Sequence, residues 1–246
     1  MSQGAGPEFP DACLLLENSA VDELLSYLER ASESAAPHIL KRLVPLSARA
    51  SLRIAVTATA RPLAARRIER LRKRRPLKLH LGSGSIYKAG WVNIDLLPAK
   101  VDVPWNLADG IPFPDASVDA VMHEHLQEHL TLRKGYELER ESSRVLKPGG
   151  ILRVGVPDAG EAVQSYAGNW SDDWARSAPT GMIAIQDLFY ANGHRAMYDG
   201  QTLKLLLGAA GFYDVQRYAF GEGRLQPNED SPHRRSGTLY VEAVKT

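Results

Sequence analysis

Apolar residues recur along this chain with two different periods, and the change from one to the other falls at Leu77. Upstream, Val21, Leu24, Leu25 and Leu28 share one stripe of a helix over 19–31, with Ser19 placed to cap it and Asp22 or Glu23 suited to its first turn. Residues 1–10 read as a disordered leader, and 38–60 as further helix, broken at Pro45 and again at Pro62. Beyond Leu77, short apolar runs alternate with helical patterns, the signature of a parallel sheet covered by helices. The runs predict strands at 77–81, 91–95, 118–122 and 150–155, and a closing pair near 213–220 and 237–244. The connection over 221–236 is rich in Gly, Pro and charge, which makes that pair antiparallel. The pattern divides the chain into a helical extension with a basic linker, 1–75, and an α/β domain, 76–246.

Composition narrows the class. With 246 residues, 44% of them hydrophobic, the chain can bury one sizeable core. A net charge of +1 points to no polyanionic partner, yet residues 61–75 hold eight basic side chains and one acidic, leaving the remainder at −6. Without interleaved aromatics, such a run suits a solvated helix face, an oligomer contact or an anchor on an anionic membrane as well as it suits phosphates. Cys13 is the only cysteine, which rules out an internal disulfide and fits a reducing compartment. The sequence shows no signal-peptide pattern and no apolar run of the ~20 residues that span a bilayer, so the expected setting is the cytoplasm.

The most informative stretch is LKLHLGSGSIYKAGWVNIDLL. A strand runs into Gly82-Ser83-Gly84, where glycine lets backbone approach a ligand closely, and a second strand ends at Asp95, whose carboxylate can accept from both hydroxyls of a ribose. A dinucleotide fingerprint would place a third glycine at Tyr87 and its acid ~20 residues on. Both departures favour a nucleoside ligand without a pyrophosphate.

Here the chain resembles the class I S-adenosylmethionine-dependent methyltransferases over nearly all of 77–246. Four segments carry the likeness: HLGSGS, Asp95, IPFPDASVDAVM and VLKPGGILRVGVPD, with GFYDVQRYAF…SGTLYVEAVK matching a reversed last strand. Two positions depart from the family, His80 where it usually carries an acid and Ile86 where it has a further glycine. The resemblance implies a Rossmann-like, seven-stranded, mostly parallel sheet with S-adenosylmethionine as cofactor. It places Gly82, Ser83 and Gly84 toward methionine and ribose, Asp95 on the ribose, Asn106 and Leu107 beside the adenine, and His123 at the cofactor's edge.

Three of the seven histidines fall in His123-Glu124-His125-Leu126-Gln127-Glu128-His129. A helix beginning near Glu124 would set His125, Glu128 and His129 on one face. Three readings stay open: the H-x-x-E-H pattern of zinc proteases, a structural pair without metal, and a methyl-transfer site. The segment resembles the metal site of divalent-metal O-methyltransferases such as small-RNA 2′-O-methyltransferases and ubiquinone-pathway enzymes. That likeness implies a Mg²⁺ or Mn²⁺ ion on Glu128, His129 and His194, with His125, standing where an acid is common, shifting the preference toward softer ions. Without metal, His125 or His194 is the candidate general base for a hydroxyl nucleophile.

Residues 157–198 carry Tyr166, Trp170, Trp174, Phe189, Tyr190 and Tyr198 among Asp158, Glu161, Asp172, Asp173 and Asp187, with Gln164, Asn169 and Asn192. Aromatic faces beside carboxylates and amides suit a cap over a neutral polyhydroxylated acceptor. GHRAMYDGQTLKLLLGAAGF resembles methyltransferases of bacterial polysaccharide-modifying clusters, which implies O-methylation of a sugar hydroxyl on a small molecule or oligosaccharide. The acidic cap disfavours nucleic acid as acceptor, though RNA methylation, metal-free natural-product methylation and cofactor binding without turnover are alternatives. The apolar helix at 19–31 could seal a homodimer or pack on its own domain.

Overall fold

The computed structural model describes Ser26 and residues 46–167, 178–190, 193–227 and 229–246. The leader, most of the helix expected at 19–31, and Trp170, Trp174, Asn169, Asp172, Asp173 and Asn192 lie outside the described residues. Seven strands form one sheet: β1 (Lys78–Leu81), β2 (Val92–Asp95), β3 (Val103–Pro104), β4 (Val118–Glu124), β5 (Leu146–Pro157), β6 (Phe212–Tyr218) and β7 (Thr238–Lys245). Their order is β3-β2-β1-β4-β5-β7-β6. The first five run parallel, and β7 lies antiparallel to both β5 and β6.

Strands packed on both faces need apolar side chains on both, and the central ones have them. Leu79, Leu81, Val92, Ile94, Val118, Val121, Leu152, Val154 and Val156 are all essentially without solvent contact. Six strands fall where the apolar runs predict them; β3 is additional, too short at two residues to leave a pattern. Among the described residues six α-helices accompany the sheet: α1 (Leu46–Thr59), α2 (Arg61–Leu71), α3 (Leu132–Val145), α4 (Ala159–Tyr166), α5 (Gly181–Tyr190) and α6 (Gly200–Ala209). The break expected at Pro62 comes at Ala60, and Pro62 sits inside the first turn of α2, where its missing N–H has no helical partner to lose. Ala64 and Ile68 of α2 enter the same core as Leu77 and Val103, so the basic segment is packed with the sheet through one face.

A dense polar network underlies the loop 219–237. Arg153, fully buried in β5, donates to Asp230 through Nε (2.6 Å) and Nη2 and to Glu242 through Nη1 (2.9 Å), and its guanidinium lies 4.8 Å from the Tyr240 ring centre. Backbone amides complete the shell, Gly221 donating to Asp230 and Arg224 to Glu242. Among the described residues no helix is long and apolar enough to cross a membrane.

Candidate functional site

At the end of β1 the chain turns through Gly82 (φ +61°) and Gly84 (φ +55°). Both positions need glycine for conformation. At Gly82 a Cβ would also meet Leu126 Cδ1 at 2.7 Å, whereas Gly84 faces open space. The Gly82 amide donates to Ile94 O (2.9 Å) and the Gly84 amide to Asp95 Oδ2 (2.7 Å), tying the turn to the end of β2. Asp95 Oδ1 accepts from Leu96 N (2.5 Å) and from Arg53 Nη2 of α1 (3.1 Å). After β3, Asn106 caps a short 3-10 turn, Leu107–Asp109, by accepting from Ala108 N.

A cleft of ≈ 650 Å³ opens between these elements, lined by Gly82, Asp95, Trp105, Asn106, Leu107 and Leu126 among others. Four of the seven residues expected at the cofactor therefore share one cavity. Ser83 is buried beneath the turn, and Gly84 meets the cavity through its bond to Asp95. His123 sits elsewhere: it is wholly buried at the end of β4 and donates to Glu139 Oε1 of α3 (2.9 Å). Trp105 and Arg195 of the lining went unforeseen; Trp105 directly follows the strand that left no pattern. A cleft of this volume has room for a small-molecule ligand.

His80 is a core residue, donating through Nδ1 to Asn93 Oδ1 on the neighbouring strand (3.0 Å). Burial pulls its pKa down from 6.5 to about 4. The unfolded chain thus takes up this proton first. The stability the neutral imidazole confers is complete above pH ~6.5 and is lost as pH falls toward ~4, an effect of about 3 kcal/mol. We expect His80→Gln to flatten the pH dependence of urea-unfolding free energy in that window; parallel curves for the two proteins would assign the acid sensitivity elsewhere.

The histidine segment departs from the single helical face expected of it. β4 continues through Glu124 because its register with β5 persists to Gly155. The chain then reverses at His125 (φ +50°), whose amide donates to Gly155 O, and forms a 3-10 turn over Gln127–His129 before α3 begins. The helical presentation an H-x-x-E-H protease needs is therefore absent here. Glu124 is structural: it accepts from Ser231 N and Oγ and from Tyr240 Oη and pairs with Lys88 Nζ at 3.2 Å.

What the turn does assemble is a trio. Ligand atoms of Glu128, His129 and His194 all lie within 4.8 Å of one another. His194 arrives because the amides of Arg195 and Ala196 donate to Glu128 O (2.7 and 3.2 Å). Its Nδ1 lies 2.6 Å from Leu188 O; a carbonyl only accepts, so Nδ1 carries the hydrogen and Nε2 keeps its lone pair. The Glu128 carboxylate is fully buried, and Oε2 accepts no hydrogen bond among the described residues. Burial pushes its pKa up, but His125, His129 and the local backbone together bring it below the ordinary glutamate value. Burial likewise lowers His129, against the pull of Glu128. His125 stands beside the trio, Nδ1 3.2 Å from Glu128 Oε1 and Nε2 2.9 Å from Thr238 Oγ1.

Of the aromatics expected in a cap, Tyr166 and Tyr190 are exposed, whereas Tyr198 is buried to 1% and belongs to the core. Asp158 caps α4 and pairs with Arg217 (2.8 Å).

Residues 95–154 match the methyltransferase domain family. Similar folds occur in a SAM-dependent methyltransferase from Thermotoga maritima, 18% identical over 69% of this chain and 82% of that one (TM-score 0.43), and in one from Archaeoglobus fulgidus, 18% identical over 78% and 94% (TM-score 0.45). No curated protein matches the chain. The family match spans about a quarter of the chain, and it falls on the segment that runs from the end of β2 into β5.

Proposed function

We propose that the chain methylates an oxygen, the hydroxyl of a sugar or a similar polyhydroxylated acceptor, with Glu128, His129 and His194 holding a divalent metal. The observation that carries this reading is the trio itself: a buried carboxylate short of donors, facing two imidazoles, one with its tautomer fixed for ligation. One carboxylate and two imidazoles suit Mn²⁺ better than Mg²⁺, which prefers an all-oxygen shell. When bound, such an ion would act as a Lewis acid on the acceptor oxygen and bring its pKa toward neutrality. Asp95 would take a ribose hydroxyl, Gly82 and Gly84 would allow backbone against the methionine end, and Asn106 and Leu107 would border the base. Methyl transfer moves carbon from sulfonium to oxygen in one displacement, so the sulfur leaves without acid help and only the hydroxyl proton has to depart. His125 is the candidate to receive it, since His194 Nε2 is committed to the metal. The exposed Tyr166, on the same helix as Glu161 and Gln164, and the exposed Tyr190 support a polyhydroxylated acceptor.

The test is isothermal titration of S-adenosylhomocysteine into EDTA-stripped protein with and without Mn²⁺, followed by methyl-transfer assays on a sugar panel. Cofactor binding that Asp95→Ala weakens, and Mn²⁺ uptake that His129→Ala removes, are the expected results. A folded protein that binds no cofactor would sink the methyltransferase reading; one that binds cofactor and turns over equally well in EDTA would sink the metal.

A further inference from the structure

The helices ahead of β1 reach the cofactor cleft. Arg53, Thr57 and Arg61 recur every fourth residue and so form one stripe along α1 and into α2. Arg53 donates to Asp95 Oδ1 (3.1 Å), Leu96 O (3.0 Å) and Leu97 O (3.1 Å). Thr57, only 2% exposed, accepts from Leu97 N at 2.9 Å. Arg61 pairs with Asp109 and lies 5.3 Å from the centre of the Trp105 ring. Asp95 and Leu96, at the end of β2, and Trp105 and Asp109, just after β3, all line the ≈ 650 Å³ cleft, and the Trp105 amide donates to Asp95 O (3.0 Å).

We propose that the stripe Arg53–Thr57–Arg61 belongs to the cofactor site, bracing the segments after β2 and β3 in the arrangement that receives adenosine. This rests on the methyltransferase reading above and adds positioning residues to it. An ionised carboxylate offers about four acceptor positions. In Asp95 three are filled, by Gly84 N, Leu96 N and Arg53, which fixes the rotamer and leaves an edge free for a ribose hydroxyl. Arg53 is itself held by two carbonyls, so it stays in place as a brace. Arg61 braces the segment after β3 through a charge pair and the face of Trp105. The direct partners of the stripe are residues of the nucleoside side, and it reaches the glycine turn through Asp95, so its influence falls first on the nucleoside half of the cofactor.

The experiment measures S-adenosylhomocysteine and adenosine binding to full-length wild type, Arg53→Ala, Arg53→Lys, Arg61→Ala and Arg70→Ala. Arg53→Ala is expected to weaken both ligands by about the same factor, roughly tenfold, the scale of one charge-assisted hydrogen bond. Arg61→Ala should do likewise, Arg53→Lys should recover part of the loss, and Arg70, which borders a different cleft, should be silent. In turnover, KM for S-adenosylmethionine rises while kcat holds. Equal binding by wild type and Arg53→Ala, or a loss confined to S-adenosylhomocysteine, overturns the inference alone. A wild type that binds neither ligand overturns the methyltransferase reading with it.

Discussion

Glu128→Gln is expected to abolish Mn²⁺ uptake and to cut methyl transfer at least ~100-fold, the cost of a lost ligand at a metal-assisted site, while sparing cofactor affinity and not lowering the melting temperature. The reasoning starts from an imbalance. A carboxylate removed from water needs compensation; Glu128 is fully buried, with His125 as its nearest partner and Oε2 accepting no hydrogen bond among the described residues. Glutamine has the same shape, and His125 can still donate to its amide oxygen, so in metal-free buffer the variant should melt close to wild type. A buried carboxylate with an open oxygen placed against two imidazoles is the pattern of a functional site. Differential scanning fluorimetry with and without Mn²⁺ reads both halves: the wild type should gain melting temperature with the ion and the variant should not. A variant that melts well below wild type in EDTA would make Glu128 a structural residue.

Arg153→Met is expected to have the largest effect on stability. Its guanidinium is sealed from solvent and satisfies Asp230 and Glu242, themselves almost completely buried. Removing the cation strands two like charges in a medium that solvates neither, and breaking such a pair from one side typically costs about 3–5 kcal/mol. For a domain of this size that is a fall of roughly 10 °C in melting temperature. Adding Asp230→Asn and Glu242→Gln should recover much of the loss, since neutral amides can remain buried on the backbone donors of Gly221 and Arg224. Thermal unfolding of the single and triple variants decides it: a single variant melting within about 1 °C of wild type would show that the triad contributes little.

How much was legible in the sequence depends on the range over which each feature is determined. Strands buried on both faces write themselves as short, mostly apolar runs, so β1, β2, β4 and β5 stood out. Val103 and Pro104 pair with β2 over two residues, and nothing that short can carry a period. The glycine turn and Asp95 were readable because left-handed backbone and close approach are local demands. The course of His123 to His129 was not, because residue spacing could not show that pairing with β5 carries β4 one turn further before the chain reverses at His125. Arg53 and Arg153 left no signal: each is defined by partners distant in sequence, Arg153 by residues 77 and 89 positions away.

The position of β7 has a consequence for the order in which the chain can be completed. Latest in chain order of the seven strands, it does not extend the sheet at its rim; it slots between β5 and the already synthesised β6. Until it arrives, β5 presents an open edge, β6 has no neighbour, and Arg153 waits without Glu242. A nascent or prematurely stopped chain therefore lacks an interior member of its sheet, with an unpaired strand edge of the kind that recruits other chains. A defect in the strand made latest of the seven is therefore felt in the interior of the sheet and not at its rim.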